Sequence, residues 1–248
     1  MARPKHHHPQ DFVASECVES TDISTRNFQL LRDTRQGPFD SQWDTSGLYN
    51  ENILAEIALI GAATSAGFEL GQSAAVVMAF LDCYPGQTAA RLARLDSFNT
   101  KIPFDSPSWF HAYQLLRENH PDAYRPGQAH DQDMVIIVAD REFVLEGTLG
   151  VPRLPRVSDP GVDQNGPFPL GRMVDLEKGA KPYFVPINEE YPQTSEAFRE
   201  AKMRFQRAAR ESVGQHRVNA SLAIRRAFDC VYALRKAKGG PLWPPGAC

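Results

Sequence analysis

A chain of 248 residues, 42% hydrophobic and 23% charged, has the composition of a globular protein and room for one large domain or two small ones. No apolar run reaches the roughly 18–20 residues that a membrane helix requires, and the N-terminal MARPKHHHPQ lacks the apolar core of a secretory signal. We therefore expect no membrane partner. The four cysteines, at positions 17, 83, 230 and 248, form no CxxC pair, and Cys17 and Cys230 fall among apolar residues that favour inert core packing, so we expect a reducing compartment, the cytoplasm.

The formal net charge of −3 is distributed unevenly along the chain. Residues 1–82 hold 5 Lys and Arg against 11 Asp and Glu, a net of −6, whereas residues 194–248 hold 11 against 4, a net of +7. The basic part could meet nucleic acid, or it could pair with the acidic part of the same or a neighbouring chain. The cations concerned include Arg199, Lys202, Arg207, Arg210, Arg225 and Arg226.

The N-terminal third of the chain is predicted to be mainly helical. A first helix starts at Pro9 and runs through Cys17, because proline suits the first helical turn. Ser24 caps a second helix, which the Gly37-Pro38 pair ends. A loop or small hairpin over residues 39–48 then precedes two helices in the segment 48–81, separated at Gly67.

The remaining two thirds of the chain mix helical and strand patterns. Residues 86–120 are predicted to be helical, and MVIIVAD followed by REFVLEGTL predicts a hairpin over residues 134–149. Residues 150–180 are rich in Pro and Gly and predict a long loop, and PYFVPI predicts a third strand. Two C-terminal helices carry apolar stripes suited to pack another helix, within the chain or across a dimer. The stripes are Phe198, Ala201, Phe205 and Ala208, and Ile224, Ala227, Val231 and Leu234.

The first two helices, joined by a short turn, form a helix-turn-helix pattern. In the second helix Phe28 and Leu31 share one face and are expected to point inward. On the opposite face, Thr25, Gln29 and Arg32 follow the spacing i, i+4, i+7. Thr and Gln can hydrogen-bond base edges, and Arg can bind guanine or a phosphate. Arg26 stands at the helix start, where a recognition helix meets the groove and free N–H groups favour a phosphate.

Two longer segments carry a family resemblance over about 70 residues. The segment ISTRNFQLLRDTRQGPF resembles the recognition helix and following turn of MerR-type winged helix-turn-helix proteins. The next segment, GLYNENILAEIALIGAATSAGFELGQSAAVV, resembles the end of the wing and the support helices of that family, with Gly67-Phe68-Glu69-Leu70 as the turn between them. The glycine allows one helix to end sharply, and the two apolar residues anchor the next helix.

The resemblance implies an α+β protein that binds double-stranded DNA in transcriptional control. Residues 1–82 would form the winged helix-turn-helix, and residues 83–248 a mixed α+β region with a small antiparallel sheet and C-terminal helices. Paired half-sites favour a homodimer, and the second region leaves room for an unidentified small-molecule effector. The DNA contacts implied are Thr25, Arg26, Gln29, Arg32 and Arg35, with Tyr49 at the wing. The alternative is a non-catalytic interaction or adaptor protein that keeps this fold without binding DNA.

Catalytic and metal sites find little support in the sequence. It contains no GxSxG, P-loop or HExxH motif, so we expect no enzyme and no cofactor. Cys83 with the distant His111 and His120 lacks metal-ligand spacing. Four acidic residues near the predicted hairpin are interpreted as charges that flank an exposed turn: Asp131, Asp133, Asp140 and Glu142. Six aromatic residues are predicted to pack in the core rather than to line an effector pocket: Trp109, Phe110, Tyr113, Phe143, Tyr183 and Phe184.

Overall fold

The computed structural model describes residues 8–39, 47–81, 88–98, 106, 108–139, 143–149, 171–173 and 214–244. The α-helices are α1 (Ala14–Ser20), α2 (Thr25–Asp33), α3 (Glu51–Ser65), α4 (Leu70–Leu81), α5 (Trp109–Asn119) and α6 (Ala220–Lys238). The strands are β1 (Phe12–Val13), β2 (Leu48–Tyr49), β3 (Met134–Ala139), β4 (Phe143–Thr148), β5 (Gly171–Met173) and β6 (Gln215–Asn219). The chain is therefore a mixed α and β protein, as the sequence patterns predicted.

The described residues form two antiparallel sheets, one of two strands and one of four strands. The small sheet pairs β1 with β2, with Phe12 opposite Tyr49, and so joins the start of the helical region to the residues before α3. The larger sheet has the strand order β5-β4-β3-β6. Its central hairpin, β3 with β4, confirms the predicted hairpin over residues 134–149.

The beginning of the chain differs from the predicted helix starting at Pro9. Phe12 and Val13 are extended, and helix α1 begins only at Ala14. The backbone N–H of Val13 donates to Glu16 Oε2 at 3.1 Å, which satisfies one donor at the helix start. The phenyl ring of Phe12 is fully buried, because strand pairing places it in the core. A helical pattern cannot reveal a two-residue strand whose paired residues lie 35 and 37 positions further along the chain.

The break between α3 and α4 lies where the sequence predicted it. Gly67 has a φ of +99°, a left-handed backbone region that favours glycine. The N–H of Phe68 donates to Ala63 O at 3.3 Å, and the Phe68 ring is buried. The glycine therefore ends α3 and the aromatic residue anchors the start of α4, which confirms this part of the prediction.

Residues 86–120 are less regular than predicted. Two 3-10 segments, Ala89–Ala93 and Leu95–Phe98, precede α5 in place of a continuous α-helix. Arg94 between them has a φ of +52°, which interrupts the helical backbone. Glu51 at the start of α3 accepts hydrogen bonds from the N–H groups of Trp109 and Phe110, at 3.2 and 3.0 Å. This carboxylate connects α3 to the first turn of α5, and burial raises its pKa.

The larger sheet contains two strands that the sequence did not predict. Strand β5 lies inside the segment 150–180, which was expected to be a loop, and pairs with β4. Strand β6 pairs with β3, with Val218 opposite Ile136, and leads directly into α6. The predicted strand PYFVPI and the predicted helix over residues 195–213 lie outside the described residues.

Helix α6 is the central element of the core. Its residues Ile224, Ala227 and Val231 are fully buried, so this predicted stripe packs within the chain. It packs on α1 and α3 from the N-terminal part and on α5 from the middle of the chain. A single hydrophobic cluster runs from Phe12 to Tyr232. Among the described residues, position 82 therefore does not separate two hydrophobic cores, and the division into two domains stays a prediction.

Candidate nucleic-acid interface

Helix α2 presents a polar and basic face outward. Thr25, Arg26 and Gln29 are exposed, and the Arg32 side chain is 41% exposed. On the other face Phe28 and Leu31 are only 2% and 0% exposed, and both belong to the hydrophobic core. The inward and outward sides thus follow the predicted helical spacing.

The start of α2 carries a hydrogen-bonded cap. Ser24 has an extended backbone, and its hydroxyl oxygen accepts from the Asn27 N–H at 3.1 Å, which confirms the predicted cap. The earlier N–H groups of a helix have no partner within it, so they remain suited to an anion. Arg26 lies in this first turn and has no ion pair or hydrogen bond to its side chain among the described residues.

The end of α2 is partly neutralised. Arg32 pairs with the adjacent Asp33 at 3.3 Å, and both side chains are exposed enough for solvent to weaken the pair. Arg35 is exposed and has a φ of +52°, just after the helix has ended at Asp33. Arg32 thus lies in the last turn of α2 and Arg35 just after it, whereas Arg26 lies in the first turn.

Tyr49 differs from the other five residues of the predicted DNA-contact set. Its side chain is 7% exposed, and its ring packs edge-to-face against Phe28 and Phe39, with ring centroids 5.6 and 5.9 Å away. Phe28 and Phe39 contact each other in the same way at 5.7 Å. Tyr49 therefore lies in the core behind α2, where its ring supports the helix and does not join the exposed face.

Helix α3 braces the turn that precedes α2. A Cβ atom added at Gly61 would lie 3.2 Å from the backbone nitrogen of Asp22 and 3.4 Å from that of Ile23. Glycine at this position therefore lets the helix and the turn approach closely. The approach fixes the backbone just before Ser24, from which α2 starts.

Replacing Gly61 with valine is expected to push the turn away from α3 and to lower the free energy of unfolding by about 1–3 kcal/mol. The matched control is Gly71→Val in α4, because a Cβ there has its nearest neighbour, Gln36 Oε1, at 4.0 Å. Denaturant unfolding of both variants measures the difference. Equal stability of the two variants would contradict the close approach at Gly61.

The basic C-terminal part reaches the acidic N-terminal part within the same chain. Arg235 pairs with Glu16 at 2.8 Å, and Lys238 pairs with Glu19 at 3.1 Å. These contacts confirm intrachain pairing of the two oppositely charged parts. Of the six cations considered for a basic surface, Arg225 is buried and Arg226 is exposed, while the other four lie outside the described residues.

A groove of about 390 Å³ lies next to the turn that precedes α2. Asp22, in this turn, lines the groove together with Arg217 and Arg226. The two arginines come from β6 and α6, about 200 residues further along the chain. The groove therefore contains basic residues of the C-terminal part as well as an acidic residue of the N-terminal part.

One acidic residue near β3 was predicted to be exposed but is buried. Asp133 was expected to bracket an exposed turn, but it is fully buried and pairs with Arg225 at 2.7 Å. Asp131 is exposed, as predicted, and Asp140 and Glu142 lie outside the described residues. A buried carboxylate requires a partner, and the partner here comes from α6, so no local pattern could have identified it.

Other candidate sites considered from the sequence have structural roles where they are described. The rings of Phe110 and Tyr113 are fully buried in the core, as expected. Burial raises the pKa of the Cys17 thiol far above its usual range, which keeps it protonated and unreactive. In the part of the chain that the structure describes, no group of three or more His, Cys, Asp and Glu side chains could hold a metal ion.

Comparison with known proteins places the chain in no established group. No family model, no curated protein and no solved structure matches it. None of the described helices combines the length and the apolar character that crossing a membrane demands.

Proposed function

We propose that this protein is a DNA-binding transcriptional regulator of a MerR-like type, in which α2 enters a duplex groove. The order β1-α1-α2-β2-α3-α4, with β1 paired to β2, supports a winged helix-turn-helix over residues 12–81. In this arrangement α2 is the recognition helix, β2 ends the wing, and α3 and α4 are the support helices.

The observation that carries the proposal is the exposed, capped first turn of α2. Arg26 and Thr25 are exposed there beside helix N–H groups that suit a phosphate. Gln29, one turn further, is exposed and can hydrogen-bond an adenine edge. Arg32 and Arg35 extend the same surface with groups suited to phosphate contacts. The helix is held from behind by the buried rings of Phe28, Phe39 and Tyr49.

Electrostatics decides whether this surface can hold DNA, because phosphate contacts provide most non-specific affinity. The described carboxylates within and just before α2 are Asp33, its last residue, and Asp22, in the preceding turn. Asp33 is paired with Arg32, and Asp22 shares its groove with Arg217 and Arg226. The basic residues in that groove support the DNA-binding function.

The regulator is expected to act in the cytoplasm as a homodimer, without a cofactor and without enzymatic activity. Two recognition helices related by a two-fold axis would read the two halves of a palindromic site. A single copy of this interface offers one short helix, which limits the number of base contacts. Sedimentation of the protein with and without a specific duplex measures this stoichiometry.

Replacing both Arg26 and Arg32 with alanine is expected to abolish the specific complex with double-stranded DNA. The measurement is a mobility shift on the upstream region of the protein's own gene at two salt concentrations. Loss of two phosphate contacts lowers the slope of log affinity against log salt by about 2. Arg91→Ala is the matched control, because Arg91 is an exposed arginine outside α2. Circular dichroism verifies that the double variant remains folded.

An unchanged mobility shift in a folded Arg26→Ala, Arg32→Ala variant would reject α2 as the recognition helix. If the wild-type protein also shows no complex at low salt, the alternative adaptor function gains support. One observation favours that alternative: Leu30 on the outer face of α2 is 48% exposed, although an apolar side chain there could also contact a thymine methyl group. Leu30→Asn would then reduce binding to a protein partner and leave the fold intact.

A further inference from the structure

A second surface, remote in sequence from α2, forms a groove of about 770 Å³ between the ends of α5 and α6. The turn after α5 closes one side of it. Its walls include the apolar residues Pro121, Pro126, Ala233 and Ala237. Its polar and aromatic residues are Arg117, Glu118, Tyr124, Arg125, Tyr232 and Lys236. A groove of this size is within the range of small-molecule sites.

The charges of the groove leave two cations available. Arg117 pairs with Asp229 at 2.8 Å, and the Glu118 carboxylate accepts from the Tyr232 hydroxyl at 2.9 Å. Arg125 and Lys236 are exposed, and neither has a carboxylate partner among the described residues. Arg117 and Asp229 cancel each other, and the two exposed cations outweigh the Glu118 carboxylate, so the groove keeps a net positive charge.

Two of the cations are held over one aromatic ring. The Cζ atom of Arg117 lies 5.5 Å from the ring centroid of Tyr232, and Nζ of Lys236 lies 5.6 Å from it. The Tyr232 side chain is only 4% exposed, so the ring is a fixed platform. Cation–π contacts of this kind restrict both side chains before any ligand arrives, which lowers the entropic cost of binding.

We propose that the groove binds a small organic oxyanion, with its phosphate or carboxylate head on Arg125 and Lys236 and its apolar body against Pro121 and Pro126. Arginine favours such heads because its N–H groups match two oxygens at once. The site does not depend on the DNA-binding function, because none of its residues lies in α2.

The test uses the full chain with defined probes at low salt, followed by calorimetry or by NMR chemical shifts. Phenyl phosphate and benzoate are expected to bind, inorganic phosphate to bind more weakly, and neutral phenol to bind least. Replacing both Arg125 and Lys236 with alanine is expected to weaken phenyl phosphate by about tenfold or more.

Lys238→Ala is the matched control, because Lys238 is an exposed cation of the same helix outside the groove. Probe affinity that survives the Arg125→Ala, Lys236→Ala change would overturn the proposal, and so would equal weakening by the control. Strong competition by duplex DNA for the same two cations would overturn it in favour of a nucleic-acid contact. The Arg26→Ala, Arg32→Ala variant is expected to bind the probes as the native protein does. The outcome of this test is therefore independent of whether α2 binds DNA.

Discussion

Arg225→Met is expected to lower the free energy of unfolding by about 3–5 kcal/mol, because it leaves a buried carboxylate without its partner. The guanidinium donates to both oxygens of Asp133, at 2.7 and 2.8 Å, and both side chains are fully buried. Its N–H groups also donate to the carbonyl oxygens of Ala93 and Gln128, at 2.8 and 3.1 Å. One side chain thus connects α6 to the first 3-10 segment, to the turn at Gln128 and to Asp133, the residue before β3.

The Asp133 carboxylate also accepts hydrogen bonds from two residues other than Arg225. Its Oδ2 accepts from the His130 N–H at 3.0 Å and from Asn219 Nδ2 at 2.9 Å. The Arg225 guanidinium lies over the ring of Phe98, 5.1 Å from its centroid. A lysine at position 225 would keep the charge but lose the two-point geometry, so Arg225→Lys is also expected to be strongly destabilising.

Denaturant unfolding of Arg225→Met, Asp133→Leu and the double variant measures the coupling of the pair. The double variant should recover much of the loss, because it removes both buried charges together. Arg226→Met is the matched control, since the neighbouring arginine is exposed and its loss should change stability by less than about 0.5 kcal/mol. Equal stability of Arg225→Met and the control would contradict the buried pair.

The second large effect is expected at Arg235, where replacement by lysine should lower the free energy of unfolding by about 3 kcal/mol or more. Arg235 is 1% exposed and donates to both oxygens of Glu16, at 2.8 and 3.0 Å. It also donates to the carbonyl oxygens of Pro9 and Asp11, both at 2.6 Å, and of Pro241 at 3.0 Å. All five N–H donors of the guanidinium are thereby used, and lysine offers only three.

The surroundings of Arg235 explain why the change should also affect α2. The guanidinium lies against the rings of Phe12 and Phe110, 4.7 and 5.4 Å from their centroids. Phe12 belongs to β1, which pairs with β2. Loss of Arg235 is therefore expected to loosen β1 and α1 and to weaken the DNA binding that we propose for α2, although it removes none of the proposed DNA contacts.

Two measurements separate this effect from ordinary surface charge. Hydrogen exchange should show faster opening of β1 and α1 in Arg235→Lys than in the native protein. Lys238→Ala removes the exposed pair with Glu19 on the same helix and should cost less than about 1 kcal/mol. If Arg235→Lys were no more destabilising than Lys238→Ala, the proposed anchoring of the N-terminal strand would be wrong.

Local chemistry explains the parts of the fold that sequence reasoning located. Ser24 caps α2 because a hydroxyl can satisfy the helix N–H groups of its own first turn. Phe28 and Leu31 point inward because helical spacing places them on one face, and Gly67 ends α3 because it accepts a positive φ. The β3–β4 hairpin follows from two β-branched runs joined by a short polar link. Each of these signals involves residues close together in sequence.

Tertiary structure alone decided the features that join distant parts of the chain. Arg225 and Asp133 lie 92 positions apart, and Arg235 and Glu16 lie 219 positions apart. From sequence, Asp133 resembles a surface carboxylate and Arg225 a member of a basic surface, because burial depends on which segments meet. The same reason placed Tyr49 in the core and brought Arg226 into the groove that Asp22 lines. Periodicity and capping determined where helices begin and which face is apolar, whereas the packing of α6 against the N-terminal helices determined which charged residues are buried and which meet in one groove.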